Sequence, residues 1–306
     1  MNHADSPVLV IGATGFLGRR VVVALTEAGR TVRCRARTPE KAQDLVSNTV
    51  AVVPGDMLDA DAVRRATAGV SAVIVCVHTL SPQGAAENDQ DYMDVEAEGL
   101  RNVVAACTAA GVRRVLYVTS IGVAEHGTSS WLRGRWATEQ ALLTSGLDVT
   151  VLRPGMIVGR GGDGFSIVAR GATHRVAVAI AGPRQKFRTV AVDDLAHNIV
   201  DLIDLPDAVG RAFDAGSDDV LTMREMTKIT ARAIGRRPGM TIFVPGGVVR
   251  RLAPMIERIA KVPRGAISGF VGDGPQESMI GDPAPLRAVL GRTDRPFLSA
   301  IDGQVL

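Results

Sequence analysis

The sequence predicts an α/β protein: a doubly wound parallel sheet with a smaller lobe drawn from its C-terminal part. Three observations point there. Val-rich apolar runs alternate with helical stretches over the first 155 residues. A glycine string, Gly12-Ala-Thr-Gly15-Phe-Leu-Gly18, joins the first run to the first helical stretch. The alternation then stops after Pro154. Alternating strands and helices imply parallel pairing through right-handed crossovers, and strands covered on both faces read as continuous apolar runs.

The elements follow in order. Val8–Ile11 is the first strand, and the glycine string opens a helix over 16–28. Thr31–Ala36 is the second strand. Pro39 behind Thr38 suits the first position of a helix over 39–46, where the N–H that proline lacks has no partner in any case. Val50–Val53 is the third strand, and Asp59 can cap a helix over 59–67. Ser71–Val77, a helix over 94–110, Arg114–Thr119, a helix over 131–145 and Asp148–Arg153 complete the run. Beyond it, Gly159 to Gly164 is a glycine-rich loop, Val176–Ile180 and Phe187–Val192 are strand-like, and a helix spans 193–204. Thr222-Met-Arg-Glu225 has capping-box spacing for a helix ending near Gly235. Val248–Lys261 reads as an amphipathic helix and Pro283–Leu290 as a short one.

Composition narrows the function. With 306 residues, 46% of them hydrophobic, the chain can bury a large core, and 22% charged residues exclude disorder. A net charge of +3, with scattered arginines and no basic recognition helix, argues against a nucleic-acid partner. Cys34, Cys76 and Cys107 stand alone in apolar segments, without metal or redox spacing. Glu96, Glu98 and Glu125 form no ligand grouping either, so no metal is expected. The polar stub Met1 to Pro7 runs straight into a strand, and no apolar stretch reaches the length of a membrane span. A cytoplasmic protein, monomer or homodimer, is the expectation.

The glycine string carries the chemistry. Its glycines permit a tight turn, close backbone approach to a pyrophosphate and tight helix–strand packing, and the helix N-terminus offers unpaired N–H groups to phosphate. Strand, glycines, helix and second strand occur in the order a Rossmann-type dinucleotide site requires. The GxxGxxG spacing resembles the short-chain dehydrogenase/reductase superfamily. Asn102 to Ser120 is similar to that family's central helix and fifth strand, Leu152 to Gly159 to its sixth strand, and Val190 to Ala196 to the start of a later core helix. Among subgroups the chain most resembles atypical members: NmrA-like proteins and NAD(P)-binding proteins akin to a complex I accessory subunit.

The resemblance implies an NAD(P)-binding Rossmann domain over 1–155, with a core return segment at about 187–205. Residues 156–186 and 206–306 then form a smaller substrate or partner lobe. It implies cofactor contacts from Gly12, Thr14, Gly15, Phe16, Leu17 and Gly18 at the turn, and from Asp56 and Met57 at the adenine. Val77 and His78 fall beside the nicotinamide ribose, and Thr119, Pro154 and Met156 near the nicotinamide. For His78 a strand-end role with satisfied hydrogen bonds competes. Arg153 also matches a nicotinamide-side position, or pairs a carboxylate under the sheet. Phe165, Met223, Phe243 and Met255 line an apolar substrate cavity or simply fill the core.

NAD-preferring sites hold the ribose hydroxyls with an acid at the end of the second strand. Here the segment reads Arg33-Cys-Arg35-Ala-Arg37. Guanidinium groups suit a 2′-phosphate, so NADP(H) is expected over NAD(H), with Arg37 at the family's phosphate position and Arg35 assisting. A solvated basic strand end is the alternative.

Catalysis departs from the family. Its Tyr-x-x-x-Lys pair is replaced, by register, by Trp131 and Arg135; an indole is no proton acid, and a guanidinium does not give up its proton. Ser120 keeps the strand-end hydroxyl. Either Ser120 works with Arg135 on a developing oxyanion, drawing its proton from His126 or water, or the chemistry is lost. The first reading is a reductase of a small, fairly apolar carbonyl or conjugated alkene. The second is an NADP(H)-sensing regulator or assembly subunit. His174 and His197 show no partner in the sequence.

Overall fold

Alternate side chains of Val8–Ile11 (β1) enter two different cores: Val8 and Val10 pack on one side, Leu9 and Ile11 on the other. A strand with period-two side chains can do this only when both faces of its sheet are covered. The structure is a computed structural model that describes residues 6–77, 92–179, 181–260, 265–271 and 277–305. After β1 come α1 (Phe16–Glu27), β2 (Val32–Ala36), a 3-10 segment (Pro39–Leu45), β3 (Val50–Pro54), α2 (Ala60–Thr67), β4 (Ala72–Val75), α3 (Tyr92–Ala110), β5 (Arg114–Val118), α4 (Ser130–Leu143) and β6 (Asp148–Pro154). The later chain adds β7 (Met156–Val158), α5 (Asp163–Thr173), β8 (Val176–Ala179), β9 (Lys186–Ala191), α6 (Val192–Ile203), β10 (Arg211–Ala215), β11 (Val220–Thr222) and α7 (Met223–Ala233). It closes with β12 (Met240–Phe243), α8 (Gly246–Ala260), α9 (Ala266–Val271), α10 (Ala284–Leu290) and α11 (Phe297–Ala300).

Seven strands form the main sheet in the order β10-β6-β5-β4-β1-β2-β3, every pairing parallel. Residues of α1 and α6 fill one face with Leu286 of α10, and residues of α2, α3 and α4 fill the other. Cys34 and Cys107 are small residues inside these two cores. The strand order reverses between β1 and β4, and in open α/β sheets ligands bind at the carboxyl ends of the strands beside such a reversal.

Local chemistry sets the ends. Asp59 accepts from the N–H groups of Asp61 and Ala62 at 3.0 Å each and caps α2. Arg33 donates to the carbonyls of Ala66 and Ala68, closing the other end of that helix. Thr222 and Glu225 form the expected capping box on α7.

One expectation about domain limits needs correction. Residues 206–306 do not stand apart from the sheet, because β10 takes its edge beside β6. The return at 187–205 supplies the expected core helix, since α6 packs on α1, while the strand before it, β9, pairs with β7 and β11 in a separate three-stranded sheet. The 39–46 helix is a 3-10 segment, Pro39–Leu45, with Ala42 as its buried residue. The second lobe has its own core, where Phe165 and Phe297 meet edge-on at 6.3 Å and Met223 and Met226 are buried. Of the four proposed cavity residues, Phe165 and Met223 are therefore core, Phe243 packs partly buried against it, and Met255 is exposed.

Candidate functional site

The carboxyl ends of β1 and β4 hold the glycine turn. Gly12 has φ +90°, and a Cβ there would lie 2.7 Å from the Cys76 carbonyl oxygen at the end of β4. A Cβ at Gly18 would run into the Gly12 carbonyl, so α1 approaches the strand end as closely as backbone allows. Gly15 donates to the Gly12 carbonyl at 3.0 Å and caps α1 without a side-chain hydrogen bond. The first turn carries no acid, so the N–H groups and dipole of α1 face the turn with no competing anion from the helix itself. Leu17 is buried, while Thr14 and Phe16 are half-buried.

Phe16 has a partner that sequence reasoning did not identify. A Cβ at Gly159 would lie 3.0 Å from the Phe16 ring, and one at Gly162 2.9 Å. The glycine-rich loop after β7 is thus glycine where it meets the ring, and it ties the second lobe to the turn. The density of glycine in that loop was visible; the aromatic it meets was not.

At the β2 end, Arg37 is exposed, with its Nε 3.9 Å from Asp56 Oδ2. Arg35 is only 5% exposed, and its Nε and Nη1 have no hydrogen-bond partner among the described residues. Burial lowers its pKa to about 10, with Asp56 opposing the shift, so it stays charged at neutral pH. The two arginines are therefore not an equivalent exposed pair: one lies at the surface and the other beneath it. Asp56 accepts from the Leu58 N–H at 2.9 Å, and Asn102 of α3 donates to the carbonyls of Met57 and Leu58. That amide holds the turn at which Asp56 and the buried Met57 sit.

On the other side of the reversal, Val77 follows β4, and its carbonyl accepts from Arg135 Nη2 at 3.4 Å. His78 lies outside the described residues. Thr119 is buried and donates to Glu139 at 2.5 Å. Arg153 also pairs with Glu139, through Nε at 3.0 Å, so the carboxylate beneath the sheet end is Glu139. Ser120 is half-buried and donates to the Ile121 carbonyl at 3.1 Å. The Pro154 carbonyl accepts from the Ile121 N–H, and Met156 packs against the core of the second lobe.

Arg135 does not have the surroundings expected of an oxyanion-binding group. It is 1% exposed, lies 3.1 Å from Glu96 and stacks over the buried Trp131 ring at 4.9 Å. Tyr117 donates to the same Glu96, and burial, reinforced by that carboxylate, raises the phenol well above its ordinary range. His126 is exposed, and no hydrogen bond among the described residues joins it to Ser120. His174 bonds to Thr173, and His197 lies 3.9 Å from Glu27.

The residues present fit a dinucleotide. The glycines leave backbone where side chains would block a pyrophosphate, and Arg35 at the β2 end keeps buried N–H groups without partners among the described residues.

Comparison with known proteins agrees with that geometry. A family model described as NAD(P)H-binding matches residues 12–206. The chain is 31% identical over 235 residues to a (4-alkanoyl-5-oxo-2,5-dihydrofuran-3-yl)methyl phosphate reductase of Streptomyces griseus, covering 75% of this chain and 74% of that one. It is 27% identical over 265 residues to NADH dehydrogenase (ubiquinone) 1 alpha subcomplex subunit 9, mitochondrial, of Arabidopsis thaliana. That match covers 83% of this chain but only 64% of the plant protein. Among solved structures, a Thermus thermophilus UDP-glucose 4-epimerase complex with NAD matches with a TM-score of 0.74. It covers 98% of this chain and 97% of that one at 21% identity, a likeness of fold.

Proposed function

The chain belongs to the NAD(P)H-binding family, with homologues among reductases and a complex I subunit, and from that premise we propose that it is an NADP(H)-dependent reductase of a small, fairly apolar carbonyl or conjugated alkene. The observation that carries the reading is the β1–α1 turn, where Gly12 and Gly18 leave no room for a Cβ. Arg37 would meet the 2′-phosphate from the surface, with Arg35 adding positive charge from beneath. When bound, the nicotinamide supplies a hydride to the substrate.

Ser120 is the proposed donor to the substrate oxygen. It lies two residues past the end of β5, and its hydroxyl's hydrogen bond to the neighbouring Ile121 carbonyl is given up by a single rotation. Thr119 and Arg153 on Glu139 hold the backbone beneath it. Arg135 is proposed as a positioning residue, since its guanidinium is committed to Glu96 and the Val77 carbonyl. The proton comes from water or from the exposed His126.

A second reading, a non-catalytic NADP(H) sensor or assembly subunit, is favoured by one observation. Trp131 and a buried Arg135 stand where the family's acid and its lysine would be. Single-turnover NADPH oxidation against quinones, enones and aldehydes decides between them. The enzyme reading predicts oxidation with at least one acceptor and a loss of about 100-fold in Ser120→Ala, the usual weight of an oxyanion donor. Tight NADPH binding without oxidation by any acceptor favours the sensor.

A further inference from the structure

Away from the glycine turn, β8 and β12 form a two-stranded parallel ribbon in which Val176 faces Met240 and Val178 faces Ile242. One face of the ribbon is buried through Ala177 and Ala179. The opposite face, which on a surface ribbon is ordinarily polar, is apolar here and lies in solvent: Val178 is 56% exposed and Met240 61%, with Val176 and Ile242 exposed beside them. Single exposed apolar residues are commonplace, but two cross-strand pairs make a contiguous patch.

Positive charge lies at one end of this patch. At the Val176–Met240 end lies a depression of about 350 Å³ lined by His174, Arg175, Arg236, Arg237 and Met240, among others. Its two walls are joined by backbone hydrogen bonds, Gly239 to Gly171 at 2.8 Å and Met240 to Arg175 at 2.9 Å. Residues 223–260 hold eight arginines and lysines against Glu225 and Glu257, a net +6 in a chain whose total is +3. The next element repeats the combination. On α8, Val248, Leu252, Met255 and Ile259 are exposed at helical spacing with Arg251 and Arg258 also exposed, while Val249 and Ala253 are buried.

We propose that the β8–β12 ribbon seats this protein on the surface of an anionic phospholipid bilayer without crossing it. Arg175, Arg236 and Arg237 meet headgroup phosphates, and the valines, Met240 and Ile242 enter the interfacial layer. Charge selects this occupant over a second copy of the chain, because a symmetric contact through the ribbon would bring two net-positive surfaces together. No helix among the described residues is long and apolar enough to span a membrane, so the contact is peripheral.

Sedimentation of the full chain with vesicles of phosphatidylcholine, alone or mixed with phosphatidylglycerol, tests the proposal. The mixed vesicles should bind at least about tenfold more tightly at about 0.1 M salt, and the difference should shrink at about 1 M. Arg236→Glu with Arg237→Glu should cost at least about 25-fold, from about fivefold for each basic residue lost. Val178→Asp with Ile242→Asp should weaken binding to the mixed vesicles as well. All four positions are exposed, and unchanged thermal melting would show the variants folded. Equal binding to both vesicles, binding to neither, or no effect of the aspartates overturns the proposal. So does a dimer that the aspartates dissociate while the wild type ignores lipid, which would make the ribbon a contact between copies.

Discussion

Glu96 and Arg135 bring opposite charges to 3.1 Å inside the packing of α3 against α4, and each side chain is 1% exposed. Neither meets water, so each is a charge partner for the other, and Tyr117 adds a hydrogen bond to the carboxylate. Arg135→Met should therefore cost about 3–5 kcal/mol of stability, because it removes a guanidinium buried against Glu96. Urea unfolding measures this directly, and a variant as stable as the wild type would contradict the account. The same loss means that a rate measured on Arg135→Met reports folding as well as chemistry, whereas Ser120→Ala removes only a half-buried hydroxyl. The helix register of Trp131 and Arg135 could be read from the sequence. Their partners could not: Glu96 lies in another helix, and nothing local in the chain says that a guanidinium at 135 will be buried rather than aimed at a substrate. Arg35 carries the same lesson. Its residue type pointed to phosphate, but only the packing buries it while Arg37 stays exposed.

Among the elements, the capping box of α7 was legible residue by residue and forms as expected. Thr222 N–H, then the Thr222 hydroxyl, hold the Glu225 carboxyl below the usual range. A depressed carboxylate stabilises the fold above its unfolded value of about 4.3, and that contribution fades as pH falls through the lower, folded value. Glu225→Ala should thus lower the melting temperature more at neutral pH than near pH 3, and equal losses at both would show the charge to be irrelevant. Strands of the sheet interior were equally legible, because burial on both faces makes them apolar throughout. The edge strand β10 was not. Arg211-Ala-Phe213-Asp-Ala215 carries two charged residues among its five, sits between Gly210 and Gly216, and needs only its neighbour β6 to complete the ladder. The glycine loop after β7 was visible as a loop, but its contact with Phe16 depends on how the second lobe returns to the turn.

Over the whole molecule, the reversal of strand order at β1 and β4 puts the glycine turn and the carboxyl ends of β4, β5 and β6 along one edge of the sheet. Residues far apart in sequence, from Gly12 to Pro154, reach that edge because parallel strands all end on the same side. Fold class and the tight glycine turn were legible for this reason: both follow from the βα alternation and one glycine spacing. The reacting end was less so, since it combines a missing tyrosine with contacts set by tertiary packing. The central claim, a dinucleotide seated on this turn and chosen by Arg37, is tested most directly by titration calorimetry of NADPH and NADH against the wild type, Arg37→Ala and Gly15→Val. A charge-assisted contact to the 2′-phosphate is worth roughly 1.5–3 kcal/mol, so NADPH should bind at least about tenfold more tightly. Arg37→Ala should erase most of that preference with NADH affinity unchanged, and a folded Gly15→Val should bind neither. Equal affinities in the wild type, or normal binding by folded Gly15→Val, would contradict it.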